Sequence, residues 1–193
     1  MKEKISVLAI SGSTRAQSSN HQLIHGITKK YADKIAVTFF DDLTTLPFFN
    51  PDIDNETPPA SVTAFREAVR AADAVLICTP EYAIGVPGVL KNALDWAVSN
   101  MAFSQKPVAL ITAGTAGFHA HKSLLGTLLI IESSISEDMQ LVISAVKTKI
   151  DTAGNITNTE TSEKINKLID ATIAAVQGNS DLTFLQPPPM MQA

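Results

Sequence analysis

The sequence predicts an α/β domain built on an open, five-stranded parallel sheet with helices on both faces. Three observations carry that expectation. Short apolar runs recur at 5–10, 35–40, 74–79, 107–112 and 140–145. Segments with helical spacing of apolar residues separate them. The 193-residue chain is 45% hydrophobic and 18% charged, enough to bury a core on each side of one sheet.

The run at 5–10 is apolar almost without interruption, as a strand covered on both faces requires. Residues 11–20 are rich in Ser, Thr, Gly and Asn and form a loop, and 19–31 turn helical. After the strand at 35–40, residues 41–59 carry four prolines and several acids. That is a long loop, and loops of such length in compact domains are functional or mobile. The helix at 61–72 places Val62, Phe65 and Val69 on one face, with Ser61 as its expected N-cap. The strand at 74–79 leads into a loop at 80–86 and a helix at 87–98 with Pro87 in its first turn. The strand at 107–112 is followed by a small-residue loop at 113–117 and a helix at 120–132. The strand at 140–145 and a closing helix at 161–177 complete the pattern.

Right-handed crossovers between these strands suit a three-layer sandwich with the flavodoxin-like strand order 2-1-3-4-5. Residues 1–180 are expected to form one domain and 181–193, with three consecutive prolines, a tail. No internal repeat is evident. The net charge of -4 argues against a nucleic-acid partner. The N-terminus lacks a signal peptide's apolar core, and no apolar stretch has the roughly 18–20 residues of a membrane span. One cysteine, Cys78, allows no internal disulfide, so a cytoplasmic location is expected.

Ligands of open parallel sheets bind beyond the carboxyl ends of the strands, where strand order reverses. The loops after the first, third and fourth strands should meet there. The first ends at a helix N-terminus, which favours an anion. Ser13, Ser18 and Asn20 offer neutral donors, and Arg15 a guanidinium matched to phosphate oxygens. The loop has neither the lysine-bearing nor the three-glycine phosphate pattern, so a terminal monophosphate fits better than a triphosphate. A polar turn with an ordinary helix cap accounts for the same residues equally well. The loop at 80–86 presents Pro80, Glu81 and Tyr82, rigid backbone and an aromatic face suited to a flat ring. The bland alternative packs Tyr82 in the core and pairs Lys91 with Asp95 on the surface. Ala113, Gly114 and Gly117 allow close backbone approach, or simply a tight turn. His119 and His121 are expected to face solvent and His21 and His25 to lie on a helix surface, with no metal site. Cys78, at the end of a buried strand, reads as structural.

From residue 5 to about 176 the chain resembles the NADPH-dependent FMN reductase family, which includes chromate, quinone and azo-dye reductases. The likeness rests on GSTRAQSSN (12–20), DLTTLPFFNPD (42–52) and above all PEYAIGVPGVLKNALDW (80–96). It implies that Ser13, Arg15, Ser18 and Asn20 hold the FMN phosphate. It implies that Pro80, Glu81, Tyr82 and Ala83 lie against the isoalloxazine ring, and that Ala113, Gly114 and Gly117 form the third flavin loop. Ala83 stands where many members carry a polar residue, often Asn. The family also implies a homodimer or homotetramer.

The expected activity is transfer of electrons from NADPH or NADH, through FMN, to a small acceptor such as a quinone, free flavin, azo dye or chromate, in a ping-pong cycle. The cofactor carries the chemistry, so no catalytic side chain is expected. An electron-carrier flavodoxin and a non-catalytic FMN-binding protein are the competing readings.

Overall fold

The structure, a computed structural model, describes residues 4–15 and 17–189. Positions 1–3, 16 and 190–193, at the N-terminus, in the first loop and at the end of the tail, lie outside the described residues.

Five strands form one all-parallel sheet: β1 (Ile5–Ser11), β2 (Ile35–Phe40), β3 (Ala74–Thr79), β4 (Val108–Ala113) and β5 (Gln140–Ile143). Their order is β2-β1-β3-β4-β5, the flavodoxin-like arrangement. Register places Ile10 beside Ile77, Ile77 beside Leu110 and Ile111 beside Leu141. Every position of β3 and β4 is buried, as expected of strands that lie inside the sheet and are covered on both faces.

Helices α1 (Ser19–Lys30), α2 (Ala60–Ala71), α3 (Gly88–Trp96), α4 (Phe118–Ile130) and α5 (Thr159–Val176) cover the two faces. One core layer gathers Phe65 of α2, Trp96 of α3 and Leu124 of α4 against β3 and β4. The other gathers Leu23, Ile24 and Ile27 of α1 with Ile165 and Leu168 of α5.

Several boundaries differ from expectation. Pro59, not Ser61, is the N-cap of α2, and no side chain caps that end. Pro58 and Pro59 hold the chain extended until Ala60, so the helix starts two residues earlier than a Ser61 cap would place it. Pro87 likewise precedes α3 as its cap. Asn158 caps α5, accepting from the Thr161 amide at 2.9 Å. β5 stops at Ile143 because Ala145 adopts a left-handed conformation (φ 50°) and turns the chain away.

The proline-rich loop after β2 forms a fixed ledge on α3. Trp96 Nε1 and Asn92 Nδ2 both donate to the Pro47 carbonyl, at 2.8 and 2.9 Å. The Phe49 amide donates to Asn92 Oδ1 at 2.8 Å. Arg66, buried in α2, reaches Asp54 at 2.6 Å and the Trp96 carbonyl at 2.6 and 2.8 Å. At the other end of the chain, the Leu185 amide donates to the Ile135 carbonyl at 2.8 Å, laying that segment against the connection into β5.

Candidate active site

The carboxyl ends of β1, β3, β4 and β5 enclose a cleft of about 270 Å³. Its foundation is the close approach of loop one to β3. A Cβ on Gly12 would stand 2.1 Å from Thr79 Oγ1, so only glycine fits there. The Gly12 amide also donates to the Cys78 carbonyl at 3.0 Å.

Ser18 is the N-cap of α1, its Oγ accepting from the Asn20 amide at 3.1 Å. The remaining amides of that first turn have no intrahelical acceptor and lie at the positive end of the helix dipole. Asn20 is buried and ties the start of α1 to the ends of β3 and β4. Its Nδ2 donates to the Ala113 carbonyl at 3.2 Å, and its Oδ1 accepts from Cys78 Sγ at 3.2 Å. Cys78 is fully buried, and desolvation pushes its thiol pKa up, so it is an inert hydrogen-bonding group. Ser13 is buried with Oγ 3.3 Å from the hydroxyl of the half-exposed Tyr82. Arg15 lines the cleft from an exposed position. Its guanidinium makes no ion pair among the described residues.

Pro80, Tyr82, Ala113 and Gly114 also line the cleft, whereas Glu81, Ala83 and Gly117 do not. Glu81 faces away and accepts from the Ala120 amide at 2.8 Å, capping α4. Ala83 and Ile84 form the tip of a tight hairpin closed by Tyr82 and Gly85, whose amides and carbonyls exchange bonds of 3.0 and 2.9 Å. Both tip residues have positive φ, 48° and 61°. Gly117 (φ 108°) is the N-cap of α4 and packs on Thr112 behind the cleft.

A fourth wall escaped sequence reasoning: Ala145, Val146, Lys147 and Thr148, just after β5. The Ala145 and Val146 amides donate to the Thr115 and Gly114 carbonyls at 3.2 and 3.1 Å, stitching this wall to the loop after β4. A left-handed alanine leaves no mark in sequence, so the segment reads as continued strand.

His121 corrects another expectation. It is buried rather than solvent-facing, with Nδ1 3.0 Å from Thr112 Oγ1 and Nε2 2.8 Å from Gln140 Oε1. His119 is exposed, and His25 stacks on Phe39 with ring centroids 4.5 Å apart. No cluster of three metal-ligating side chains occurs among the described residues. Lys91 and Asp95 do form a surface ion pair, at 2.5 Å.

The cleft lining contains no carboxylate and no histidine. It offers two cations, Arg15 and Lys147, with serine, threonine and tyrosine hydroxyls and backbone amides, an arrangement suited to an anion.

Comparison with known proteins identifies the family. The profile of the NADPH-dependent FMN reductase family matches residues 5–147. An NAD(P)H-dependent FMN reductase of Pseudomonas aeruginosa is 32% identical over 176 residues, covering 89% of this chain and 95% of that protein. A 2-hydroxy-1,4-benzoquinone reductase of a Burkholderia species is 31% identical, over 90% of this chain and 97% of the relative. The flavoenzyme FerB of Paracoccus denitrificans, an NAD(P)H:acceptor oxidoreductase, shares the fold with a TM-score of 0.72 at 24% identity, over 90% of this chain and 98% of that one. This chain is therefore an FMN-using, NAD(P)H-dependent oxidoreductase, and it belongs to the NADPH-dependent FMN reductase family.

Proposed function

We propose that this enzyme holds FMN in the four-walled cleft and passes electrons from NAD(P)H to a small diffusible acceptor of the quinone class in a ping-pong cycle. The observation that carries this reading is the cleft's composition: a capped helix N-terminus and an arginine with no ion-pair partner among the described residues, and no carboxylate or histidine among the described residues that line it. The fit is supported by size. At about 270 Å³ the cleft falls just under the ~300–1,000 Å³ that enclose most of a drug-sized ligand, so it grips one end and leaves a ring face open.

Ser13, Arg15 and Ser18, with the first amides of α1, hold the phosphate, and Asn20 fixes the loops that present them. Pro80 and Tyr82 lie against the ring, with the backbone of Ala113 and Gly114 opposite. Glu81, Ala83 and Gly117 serve that segment indirectly, Glu81 and Gly117 by setting the start of α4 and Ala83 by shaping the turn. FMN supplies a ring that accepts hydride from nicotinamide and returns the electrons to an acceptor. One open face suffices if the oxidised nucleotide leaves before the acceptor enters. The relative named as a 2-hydroxy-1,4-benzoquinone reductase supports that acceptor class.

Large apolar side chains left in solvent, Phe48 at 93% and Ile84 at 70%, support a homodimer or homotetramer. The lone buried Cys78 supports a reducing, cytoplasmic setting. No helix among the described residues is long and apolar enough to cross a membrane.

Initial rates with NADPH and a benzoquinone should give parallel double-reciprocal lines. Converging lines would exclude the ping-pong order. Arg15→Ala should weaken FMN binding by about 1.5–3 kcal/mol, the worth of a charge-assisted hydrogen bond. Unchanged affinity would remove Arg15 from the phosphate site.

A further inference from the structure

We propose that Lys147 is the second cation of the phosphate end and that it makes the cleft selective for a dianionic phosphate monoester. This rests on the reading of the cleft as the FMN site.

The segment after β5 is held where such a role requires. On one side, the bonds from Ala145 and Val146 fasten it to Thr115 and Gly114, and Val146 is buried. Beyond it, at Gly154, the same connection comes into backbone contact with α1. A Cβ on Gly26 would stand 2.0 Å from the Gly154 carbonyl oxygen, and one on Gly154 would stand 2.0 Å from the Gln22 carbonyl oxygen. The wall is thus fastened directly to the loop after β4, and the chain that follows it is anchored on α1 through Gly154. A short 3₁₀ turn, Val146–Thr148, places Lys147 at its centre, exposed and lining the same cleft as Arg15, Ser18 and Ser19.

Two features make this more than a surface lysine. Neither Lys147 nor the Arg15 guanidinium has an ion-pair partner among the described residues. Both border a cavity that contains the positive end of a helix and no carboxylate. Two like charges sharing a cavity without a counter-ion leave an unneutralised field. A phosphate monoester carries about −1.5 to −2 charges near neutral pH, which two cations and a helix dipole match. Arg15 supplies a planar fork, and Lys147 a point charge on a long stem that approaches from the opposite wall.

The test is titration of the flavin-free protein with FMN and with riboflavin, which lacks the phosphate, followed by quenching of flavin fluorescence. Lys147→Ala should raise the Kd for FMN by about tenfold, the lower end expected for an exposed charge-assisted contact, and leave riboflavin binding unchanged. Lys147→Arg should restore FMN binding. The salt dependence of the FMN Kd should flatten in Lys147→Ala, because one screened attraction has gone. An FMN Kd equal to that of wild type, or equal losses for FMN and riboflavin, would overturn the assignment of Lys147 while leaving the cleft reading in place. Wild-type protein that binds neither flavin would overturn the cleft reading and this assignment together.

Discussion

Ala83 and Ile84 carry the least comfortable backbone in the site. A two-residue hairpin with positive φ at both tip positions is the geometry that Asn-Gly adopts without strain. A β-branched residue there is an outlier, and such conformations cost on the order of 1–3 kcal/mol each. The double substitution Ala83→Asn, Ile84→Gly should therefore stabilise the protein by about 1–2 kcal/mol, read as a higher urea midpoint. No gain would mean that the hairpin relaxes in solution. His121 makes a second prediction at this scale. Gln140 donates its amide to Glu137 at 3.0 Å and so turns Oε1 toward the imidazole. Nε2 then carries the proton and Nδ1 accepts from Thr112. Burial holds the pKa of His121 below its ordinary 6.5, while Gln140 and Glu137 pull it upward less strongly. The unfolded chain thus takes up this proton more readily than the folded one. The stability contributed by neutral His121 is complete above the unfolded value and is lost as pH falls through the folded one. The urea midpoint should drop between about pH 7.5 and pH 5, and His121→Gln should shrink that drop. An equal drop in the variant would assign the acid sensitivity to other groups.

Gly12 and Arg66 act at the scale of whole elements. Gly12 lets loop one lie on β3, and Gly12→Ala would drive a Cβ to 2.1 Å from Thr79 Oγ1 in a fully buried setting. The cost should be about 2 kcal/mol, with weakened FMN binding because the phosphate loop must lift. Arg66 joins α2, α3 and the proline-rich ledge through Asp54, Trp96 and Ser99. Arg66→Ala leaves a buried carboxylate without its partner and should cost about 3–5 kcal/mol, with faster proteolysis near residues 47–54. Cleavage as slow as in wild type would show that the Pro47 contacts suffice.

The same elements show what the sequence made legible. The five apolar runs located the strands of the sheet: β1, β3 and β4, covered on both faces, must be apolar almost throughout, and the less buried edge strands β2 and β5 are short apolar-rich runs as well. The Ser/Asn loop and the PEYAIGVPG segment were visible because polar and proline-rich residues interrupt apolar runs there. Four features were hidden. Pro59 outcompeted Ser61 as a cap through backbone restriction, and Gly12 was needed for a contact 67 residues away in sequence. His121 is buried because Thr112 and Gln140 satisfy its two ring nitrogens. Ala145 breaks β5 by a turn that alanine does not advertise, and the fourth wall was missed with it.

At the scale of the molecule, the sheet order brings four strand ends to one rim, and α1 aims its N-terminus at the same place. Two apolar layers hold that arrangement rigid without contributing a reacting group. On the proposed reading the protein acts as a mount: it binds a molecule that carries its own redox chemistry, orients it, and leaves one face accessible. Anaerobic titration of the FMN-loaded protein, followed by its visible absorbance, addresses this most directly. NADPH should bleach the flavin band stoichiometrically, and a benzoquinone added afterwards should restore it fully. Protein that takes up no FMN, or a flavin band that NADPH leaves unchanged, would contradict the account.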